Sequence, residues 1–366
     1  MLKKFAVTNF KGFKERIEFD LSKHKNYEFN TFAIKDDTVK DAIIYGPNGS
    51  GKSNIGFAIF DIVNHLTQKW KNPSSYTNAV YAGNRNSLMS FEYYFDFDGA
   101  EIEYFYSKNS QNALVREKLI VDSSIVFDRS EGSFSIDESK FPMTEDVKLA
   151  LKKNANSISI INYLLASYPL SDEHYLNKLR NFVESMLWFR CLEDRGFIGL
   201  KTEAQLLEEF IISNGLVDDF CLFLREVSEQ EFVFKKHKKT DKALICLVDG
   251  AEIYFDSIRS TGTSSLTLLY YWIKNLSSAS LLFIDEFDAF YHYRLSAAVC
   301  KRLFELQCQV ILTSHNTYLM SNDILRPDCN FIINNNRIKA LCDCTDKELR
   351  WGHNIEKLFR GGAFEQ

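Results

Sequence analysis

The chain has 366 residues, a formal net charge of −5 and a hydrophobic content of 45%. This content suffices for a sizeable core, so either one large domain or two modest domains are expected. The acidic balance excludes a basic field over the whole molecule, whereas a local basic patch is compatible with it.

The cysteines and the apolar runs indicate which compartment the chain occupies. None of the eight cysteines forms a C-x-x-C pair, and Cys221 and Cys300 have apolar neighbours, as buried thiols in a reducing compartment do. Cys342 and Cys344 form one close pair without His or Cys partners at ligand spacing. The N-terminus lacks the pattern of a signal peptide, and no run approaches the roughly 18 apolar residues of a membrane span. We therefore expect a soluble, cytoplasmic protein with no membrane partner.

The chain opens with two segments that alternate apolar and polar residues, Leu2–Asn9 and Arg16–Leu21. Such alternation predicts half-buried strands, and Lys11–Phe13 provides a tight connection between them. A polar loop follows, and then a continuous apolar run, Asp41–Tyr45, which predicts a buried strand.

The segment directly after this buried strand matches the phosphate-binding pattern G-x-x-x-x-G-K-[ST]. It reads GPNGSGKS from Gly46 to Ser53, and a helix is predicted after it over Lys52–Trp70, ended by Asn72–Pro73. Glycines let backbone N–H groups point at an anion, and the helix adds its positive end. Lys52 would reach the β- and γ-phosphates and Ser53 would hold Mg²⁺. The predicted nucleotide contacts are Asn48, Gly49, Ser50, Gly51, Lys52 and Ser53.

Residues 90–136 are rich in predicted strands, which we expect to lie antiparallel beside the nucleotide sheet. The strands are Phe91–Phe97, Glu101–Tyr106, Leu114–Val121, Ile125–Phe127 and Phe134–Ile136, with a hairpin turn at Asp98–Gly99. Their aromatic residues suit either base stacking or packing within the sheet, and packing is the commoner use.

Residues 144–227 change to helical spacing, with apolar positions such as Leu176, Leu179, Val183 and Leu187, and later Leu206, Leu207, Phe210 and Ile211. This pattern predicts a compact helical insertion. Two further strands, Glu231–Phe234 and Ala243–Val248, flank the only basic run of the chain, Lys235–Lys239. The run is interpreted either as a solvated hairpin tip or as a contact for nucleic acid or a partner.

A second apolar strand ends in two acids, in the segment LLFIDE over Leu281–Glu286. Adjacent carboxylates at the end of a buried strand are costly unless a cation lies nearby. We therefore predict that Asp285 holds Mg²⁺ and that Glu286 is the general base that polarises the attacking water. The alternative is a strand that ends in two solvated acids.

Two more elements complete the predicted site. Gln309–Asn316 is a buried strand that ends in Ser-His, and the crossover helix Ala289–Leu306 would place it beside the acid strand, with His315 as a γ-phosphate sensor. The turn Arg259–Thr263 precedes a helix over Ser265–Leu276. This turn is either an anion-binding turn or an ordinary helix cap.

These elements predict an α/β phosphate-loop ATPase with mixed sheets and a helical insertion. The predicted parts are an N-terminal half over residues 1–140, an insertion with a terminal hairpin over 141–250, and a C-terminal half over 251–366.

The order of the motifs resembles the ATP-binding-cassette superfamily, on its chromosome-maintenance and DNA-repair branch. The opening Asn9–Phe13 (NFKGF) is similar to the start of that branch. The endings Gly352–Phe359 and Gly361–Phe364 resemble the short antiphage ATPases of the overcoming-lysogeny-defect and abortive-infection type. The likeness covers residues 1–135 and 250–366.

The resemblance implies further roles. Ser260 and Gly262 would match the signature that contacts the γ-phosphate of ATP held by another subunit, Asp288 the dimer-bridging loop, and His315 the switch histidine. Lys11 would join the nucleotide contacts. The active unit would then be a homodimer or a higher homo-oligomer with ATP between its subunits. The family's glutamine loop has only Glu92 and Gln111 as candidates.

Two functions follow from this resemblance. In the first, a slow ATPase acts as a molecular switch in antiphage defence. It controls a separate effector, a nuclease or a toxin, because no nuclease motif follows His315. In the second, the chain is a nucleic-acid-binding ATPase of DNA repair or chromosome maintenance. A kinase- or GTPase-like use is disfavoured, because the late motifs do not fit it and no Asn-Lys-x-Asp motif occurs.

Overall fold

A computed structural model of the chain describes residues 1–67, 76, 78–130, 132–153, 158–190, 196–199 and 207–364. The chain divides into two compact units. The first unit comprises Met1–Leu200, Ser280–Glu286 and Cys308–Gln366, and the second comprises Lys201–Ala279 and Phe287–Gln307. The predicted helix end at Asn72–Pro73 and the predicted apolar position Leu206 lie outside the described residues.

The strands are β1 (Leu2–Thr8), β2 (Ile17–Asp20), β3 (Ile34–Lys35), β4 (Thr38–Val39), β5 (Asp41–Tyr45), β6 (Met89–Phe97), β7 (Ala100–Lys108), β8 (Leu114–Val121), β9 (Ser124–Ser130), β10 (Ser133–Ile136), β11 (Leu187–Arg190), β12 (Gly196–Gly199), β13 (Ile245–Val248), β14 (Ala251–Tyr254), β15 (Leu281–Asp285), β16 (Gln309–Ser314), β17 (Asn330–Asn334) and β18 (Arg337–Ala340). The α-helices are α1 (Lys52–Ile59), α2 (Asp61–Leu66), α3 (Glu145–Lys153), α4 (Ile160–Ser167), α5 (Tyr175–Glu184), α6 (Leu207–Ser213), α7 (Val217–Ser228), α8 (Phe255–Ile258), α9 (Thr261–Asn275), α10 (Tyr293–Phe304) and α11 (Ile355–Arg360). In the described part of the chain, no helix has the length and apolar character that a membrane span requires.

The first sheet of the first unit is antiparallel and has the order β10-β9-β8-β7-β6-β1-β2. Alternating side chains of its strands are buried, as the sequence pattern predicts. The aromatic residues Phe91, Tyr93, Tyr104 and Tyr106 are at most 1% exposed. Their role is therefore packing, because rings this deeply buried have no face open to a base.

The second sheet has the order β12-β11-β15-β16-β5-β17-β18. Its five inner strands pair in parallel, and β5, β15 and β16 are buried at every position, as expected of strands covered on both faces. The predicted pairing of the acid strand with the Ser-His strand is confirmed, and β16 also pairs with β5. The three strands that lead to the candidate site residues, β15, β16 and β5, are thus consecutive in the sheet, with β16 in the middle.

One buried side chain connects the two sheets. Gln309, at the start of β16, accepts a hydrogen bond from the Leu2 N–H at 3.1 Å. Its amide group donates to the carbonyl oxygens of Leu2 and Val39, both at 2.9 Å. Gln309 therefore provides hydrogen-bond partners for buried backbone groups of β1 and β4 from within β16.

The structure corrects two predictions in this unit. The helix predicted over Lys52–Trp70 is divided into α1 and α2 at Phe60. There the Val63 N–H donates to the Phe60 carbonyl at 3.1 Å, a hydrogen bond that spans three residues instead of the four of an α-helix. Leu187 begins a strand instead of continuing a helix. Pairing with β15 and the complete burial of Trp188 override the helical spacing.

The second unit contains helices and one hairpin. Phe220, Phe223 and Tyr270 form an aromatic core between α7 and α9, with ring centroids 5.0–5.2 Å apart. The predicted strand Glu231–Phe234 is wrong, because Phe234 makes only an isolated bridge to Cys246. β13 forms its ladder with β14, across the Asp249–Gly250 turn, and residues 233–235 make two further backbone hydrogen bonds to β13 without forming a strand. Asp249 and Gly250 both adopt the left-handed backbone conformation that a tight hairpin turn favours.

Candidate functional site

The loop between β5 and α1 is curled so tightly that two of its glycines cannot be replaced without a collision. At Gly46, a Cβ atom would lie 2.6 Å from Ser50 Oγ and 2.7 Å from the Ile333 carbonyl oxygen. Gly51 has a φ of +104°, and its Cβ would lie 2.6 Å from the Phe13 ring. The glycines therefore serve the fold of the loop, which ends where α1 begins.

Lys52 is the first residue of α1, and its side chain reaches back into this loop. Its side chain is buried, and Nζ donates to the carbonyl oxygens of Gly46 at 2.9 Å and Pro47 at 3.2 Å. Burial lowers the pKa of Lys52, while the nearby Glu286 and Asp285 carboxylates act in the opposite direction. Ser50 Oγ is also buried, and it has no hydrogen-bond partner among the described residues. Both groups fit an anion bound in the loop, which would supply acceptors to them.

Asp285 is the last residue of β15 and Glu286 follows it, and a third residue joins the two acids. Thr313 Oγ1 donates to Asp285 Oδ1 at 2.7 Å and accepts from the Glu286 N–H at 2.8 Å. Thr313 lies on β16 and is fully buried. Glu286 has a φ of +50°, a left-handed conformation that is uncommon for a residue with a side chain. The Thr313 hydroxyl therefore holds the backbone of one acid and the carboxylate of the other.

His315 follows the end of β16. Its Nε2 atom lies 3.6 Å from Glu286 Oε1, and both side chains are partly open to solvent. The structure thus brings together Lys52, Asp285, Glu286 and His315. Ser53 lies in the first turn of α1 and is half-buried.

Sequence reasoning missed two residues near this edge of the second sheet. Thr313 lies in the predicted strand Gln309–Asn316, directly before Ser-His, and no local pattern marks it as a site residue. Arg190 ends β11, and its Cα is in register with that of Asp285 on the neighbouring strand. The available signal was the short apolar run Leu187–Phe189 followed by a cation, which is compatible with a buried strand.

Arg190 shares an aromatic neighbour with the predicted nucleotide contact Lys11. Lys11 Nζ lies 3.9 Å and the Arg190 guanidinium 5.0 Å from the centroid of the Phe57 ring of α1. Burial and the Arg190 charge lower the pKa of Lys11. Two cations on one ring make this part of the molecule receptive to an anion.

The two candidates for a glutamine loop lie in or beside the first sheet. Glu92 is on β6 and forms a double hydrogen bond with Arg16 at 3.0 and 2.9 Å. Gln111 is exposed in the turn between β7 and β8. Neither residue lies at the end of a parallel strand of the second sheet.

Ser260, Gly262 and Asp288 belong to the second unit. Ser260 Oγ accepts from the Thr263 N–H at 3.1 Å and caps α9, so this helix begins four residues before the predicted Ser265. A Cβ at Gly262 would lie 3.4 Å from the Phe290 carbonyl oxygen. The turn that starts α9 therefore packs against the loop that follows Asp288.

Residues 1–327 match the family model of the RecF/RecN/SMC N terminal domain. The chain belongs to this family. The expectation of an ATP-binding-cassette ATPase of the chromosome-maintenance branch is thereby confirmed, together with ATP binding as a property of the family. A search of curated proteins finds no match.

Solved structures similar to this RecF/RecN/SMC family member are SMC heads. An SMC head bound to the C-winged helix domain of ScpA is 15% identical, with 93% of this chain and 98% of that chain covered and a TM-score of 0.48. The SMC head domain from Thermotoga maritima is 15% identical, with 92% and 97% covered and a TM-score of 0.42. An SMC head with an extended coiled coil, bound to the C-terminal domain of ScpA derived from Pyrococcus furiosus, is 14% identical, with 92% and 95% covered and a TM-score of 0.46.

The residues of this family member fit a nucleotide and a magnesium ion. The glycine cradle, buried Lys52 and unpartnered Ser50 Oγ suit phosphate oxygens. The described residues contain no cluster of three or more metal-ligating His, Cys, Asp or Glu side chains. Mg²⁺ at a phosphate site does not need one, because it takes one or two protein ligands and completes its shell with phosphate oxygens and water.

Proposed function

We propose that this ATPase is a molecular switch that dimerises around ATP and controls a separate effector protein. The observation that carries the proposal is the edge where β5, β16 and β15 end side by side. The phosphate loop follows β5, His315 follows β16, and the two acids lie at the end of β15. Ligands of α/β proteins bind at the carboxyl ends of parallel strands, so this arrangement supports phosphate chemistry at that edge.

Each residue has a distinct role in this proposal. Lys52 exchanges the carbonyl oxygens of Gly46 and Pro47 for phosphate oxygens, and Glu286 orients the attacking water and takes its proton. His315, held near Glu286, senses the γ-phosphate. Ser53 and Asp285 would hold Mg²⁺, which neutralises charge on the phosphates when bound.

The proposed dimer explains the remaining predicted residues. Ser260, Gly262 and Asp288 would contact the nucleotide held by the other subunit, and Lys11 would contact nucleotide in its own. ATP then favours the closed dimer and hydrolysis the open one. Slow turnover suits such a switch, because binding energy is used to shift a population.

The proposed setting is antiphage defence, with a nuclease or toxin as the effector. It rests on the resemblance of the Ser-Thr-Gly-Thr turn at 260–263 and of the C-terminal segment, Gly352–Phe359 and Gly361–Phe364, to the antiphage ATPases of the overcoming-lysogeny-defect and abortive-infection type. In that segment, α11 is capped by Asn354, whose Oδ1 accepts from Lys357 N–H at 2.8 Å.

A second candidate function is a nucleic-acid-binding ATPase of DNA repair or chromosome maintenance. The observation that favours it is the run Lys235–Lys239, whose four lysines are all exposed. Binding through such lysines would be steeply salt-dependent.

Size-exclusion light scattering of Glu286→Gln with and without Mg-ATP tests the switch. Removing the base should leave binding intact and trap an ATP-bridged dimer or larger species, while the wild type relaxes as ATP is consumed. Glu226→Gln, on the exposed face of α7, is the matched control and should behave as the wild type.

Two results would overturn this assignment: normal hydrolysis by Glu286→Gln, or an assembly that ignores nucleotide in both proteins. ATPase activity that DNA stimulates at low salt, without a trapped dimer, would favour the second function.

A further inference from the structure

The hairpin of the second unit carries exposed apolar side chains on one face. Val233 is 63% exposed, Tyr254 62% and Leu247 38%. Single exposed apolar residues are ordinary on protein surfaces, but adjacent ones mark sites of interaction.

The backbone pairing places these residues on the same side of a small three-stranded arrangement. Leu247 N–H donates to the Val233 carbonyl at 2.7 Å, so these two residues lie opposite each other. Across the hairpin, Tyr254 is the partner of Ile245, which points to the same side as Leu247. We call the apolar residues of this side, Val233, Ile245, Leu247 and Tyr254, the hairpin face. Glu252, the partner of Leu247, and Lys235, whose N–H donates to the Ile245 carbonyl, lie on the same side.

A basic loop borders the hairpin face. Lys235 forms an ion pair with Glu252 at 2.6 Å, whereas no ion pair of Lys236, Lys238 or Lys239 is present among the described residues. The loop has defined contacts, since His237 Nε2 accepts from Ile245 N–H at 3.0 Å and Asp241 accepts from Lys238 N–H at 2.9 Å. In a chain with a net charge of −5, this is a local positive rim beside an apolar surface.

The opposite side of this arrangement packs against α8. Phe234 packs against Phe255, the first residue of α8, with ring centroids 5.3 Å apart. Just before Val233 in the chain, Gln230 Oε1 accepts from Thr263 Oγ1 at 3.0 Å, and Thr263 is the residue that Ser260 caps. The segment before β13 thus contacts α8 through Phe234 and the turn at 260–263 through Gln230.

We propose that the hairpin face and its lysine rim bind a protein segment that carries both apolar and acidic side chains. The apolar groups would cover Val233, Leu247 and Tyr254, and the acids would pair with Lys236, Lys238 and Lys239. Nucleic acid is a poorer match, because aliphatic Val233 and Leu247 offer no stacking surface and only Tyr254 does. That this segment belongs to the effector rests on the proposed function; the binding itself does not.

The test uses the full chain and four fluorescent probes in an anisotropy titration. The first is a short synthetic peptide in which Asp and Glu alternate with Leu and Phe. The second replaces its acids with Asn and Gln, the third replaces its apolar residues with Ser, and the fourth is single-stranded oligothymidylate. We expect the first peptide to bind with a micromolar Kd and each altered peptide to bind at least about tenfold more weakly.

The variant pair locates the site. The double variant Val233→Ser/Tyr254→Ser should bind the first peptide at least about tenfold more weakly than the wild type does, because the apolar contact is lost. Ile125→Ser, on an exposed apolar residue of β9, is the matched control and should leave the affinity unchanged. Binding of a fluorescent ATP analogue to each protein separates failure of this proposal from failure of the ATP site.

Three outcomes would overturn the proposal. The first is equal peptide affinity in the wild type and the double variant. The second is tighter binding of oligothymidylate than of the peptide, which would assign the rim to nucleic acid. The third is a change of oligomeric state in the double variant without any peptide binding up to about 1 mM, which would assign the face to a second copy of the chain.

Discussion

Thr313 connects the two acids of the candidate site through a single hydroxyl group. The hydroxyl has one proton to donate, which goes to Asp285, and it accepts the Glu286 N–H with its oxygen. Glu286 adopts a left-handed backbone conformation, which is unfavourable for a residue with a side chain. The hydrogen bond from its N–H to Thr313 helps to hold that conformation and so fixes the direction of the Glu286 side chain. Thr313 is thus a positioning residue rather than a group that touches substrate.

We expect Thr313→Val to lower the kcat of ATP hydrolysis by about ten- to a hundredfold, because small displacements of a catalytic group are costly. KM should change less, since the phosphate loop is untouched. Steady-state kinetics measure both constants. Thr313→Ser keeps the hydroxyl and should recover most of the rate. Equal losses in the Val and Ser variants would contradict a role for the hydroxyl.

Gly51 and Gly49 allow the shape of the phosphate loop to be tested with a matched pair. Both have positive φ angles, 104° and 75°, but only a Cβ at Gly51 would meet another group, the Phe13 ring at 2.6 Å. A left-handed backbone costs each alanine variant about 1–2 kcal/mol. The collision is specific to Gly51.

Gly51→Ala should therefore weaken ATP binding by at least about tenfold, and Gly49→Ala should weaken it less. Isothermal titration calorimetry with Mg-ATP measures the difference. Shortening the blocking ring in Gly51→Ala/Phe13→Leu should restore part of the affinity. If both single variants bind equally well, the contact with Phe13 does not shape the loop.

At the scale of elements, a buried polar network connects α2 to the first sheet. Tyr106 OH donates to Asp61 Oδ2 at 2.6 Å, and Lys108 pairs with the same carboxylate at 2.7 Å. Burial holds the pKa of His65 well below its usual range, so the imidazole is neutral. Its Nε2 lies 2.7 Å from Tyr104 OH. Helix α2 is thus fixed to the first sheet by polar contacts as well as by packing.

The same network continues to α4 through Glu117. This carboxylate accepts from Arg129 at 2.7 Å, from Ser159 OH at 2.6 Å and from Ile160 N–H at 2.8 Å. Tyr104 OH donates to it at 2.8 Å. Glu117 and Arg129 are each at most 1% exposed, so neither charge has water as an alternative partner.

Glu117→Ala should lower the free energy of unfolding by about 3–5 kcal/mol, because it leaves the Arg129 charge buried without its partner. Urea unfolding followed by circular dichroism measures the loss. The double variant Glu117→Leu/Arg129→Met removes both charges and should lose less unfolding free energy than Glu117→Ala does. Glu103→Ala on β7 serves as the control. A double variant that is less stable than Glu117→Ala would contradict this explanation.

At the scale of the whole molecule, Gln309 joins the two sheets of the first unit. Its side chain satisfies the Leu2 N–H and C=O groups of β1 and the Val39 carbonyl of β4 from within β16. Residues 2 and 309 are far apart in the chain, so this contact closes a long loop.

We expect Gln309→Leu to lower the free energy of unfolding by about 3 kcal/mol or more, because it leaves several buried backbone groups unpaired. Gln307→Leu, at an exposed position in the preceding turn, should change it little. Urea unfolding gives the magnitude, and hydrogen exchange should show faster exchange in β1 than in β5. Uniform exchange in both strands would indicate that Gln309 does not join the sheets specifically.

Short contiguous segments were the most predictable part of this protein. The phosphate loop, the acid strand and the Ser-His strand could be predicted because each depends on residue types at fixed local spacing. The strands of the first sheet were predictable for the same reason, since apolar and polar residues alternate between neighbouring positions of the sequence. The residue roles assigned to these segments stay predictions until kinetics test them.

The tertiary structure decided what depends on partners distant in the chain. Leu187–Arg190 has helical spacing before it, but pairing with β15 makes it a strand and sets Arg190 opposite Asp285. Thr313 gains its position only because β16 lies beside β15. β13 forms its strand ladder with β14, and Glu231–Phe234 is left with a single bridge to β13, at Phe234. Hydrogen-bond partners and burial are non-local quantities, so no local pattern of residues specifies them.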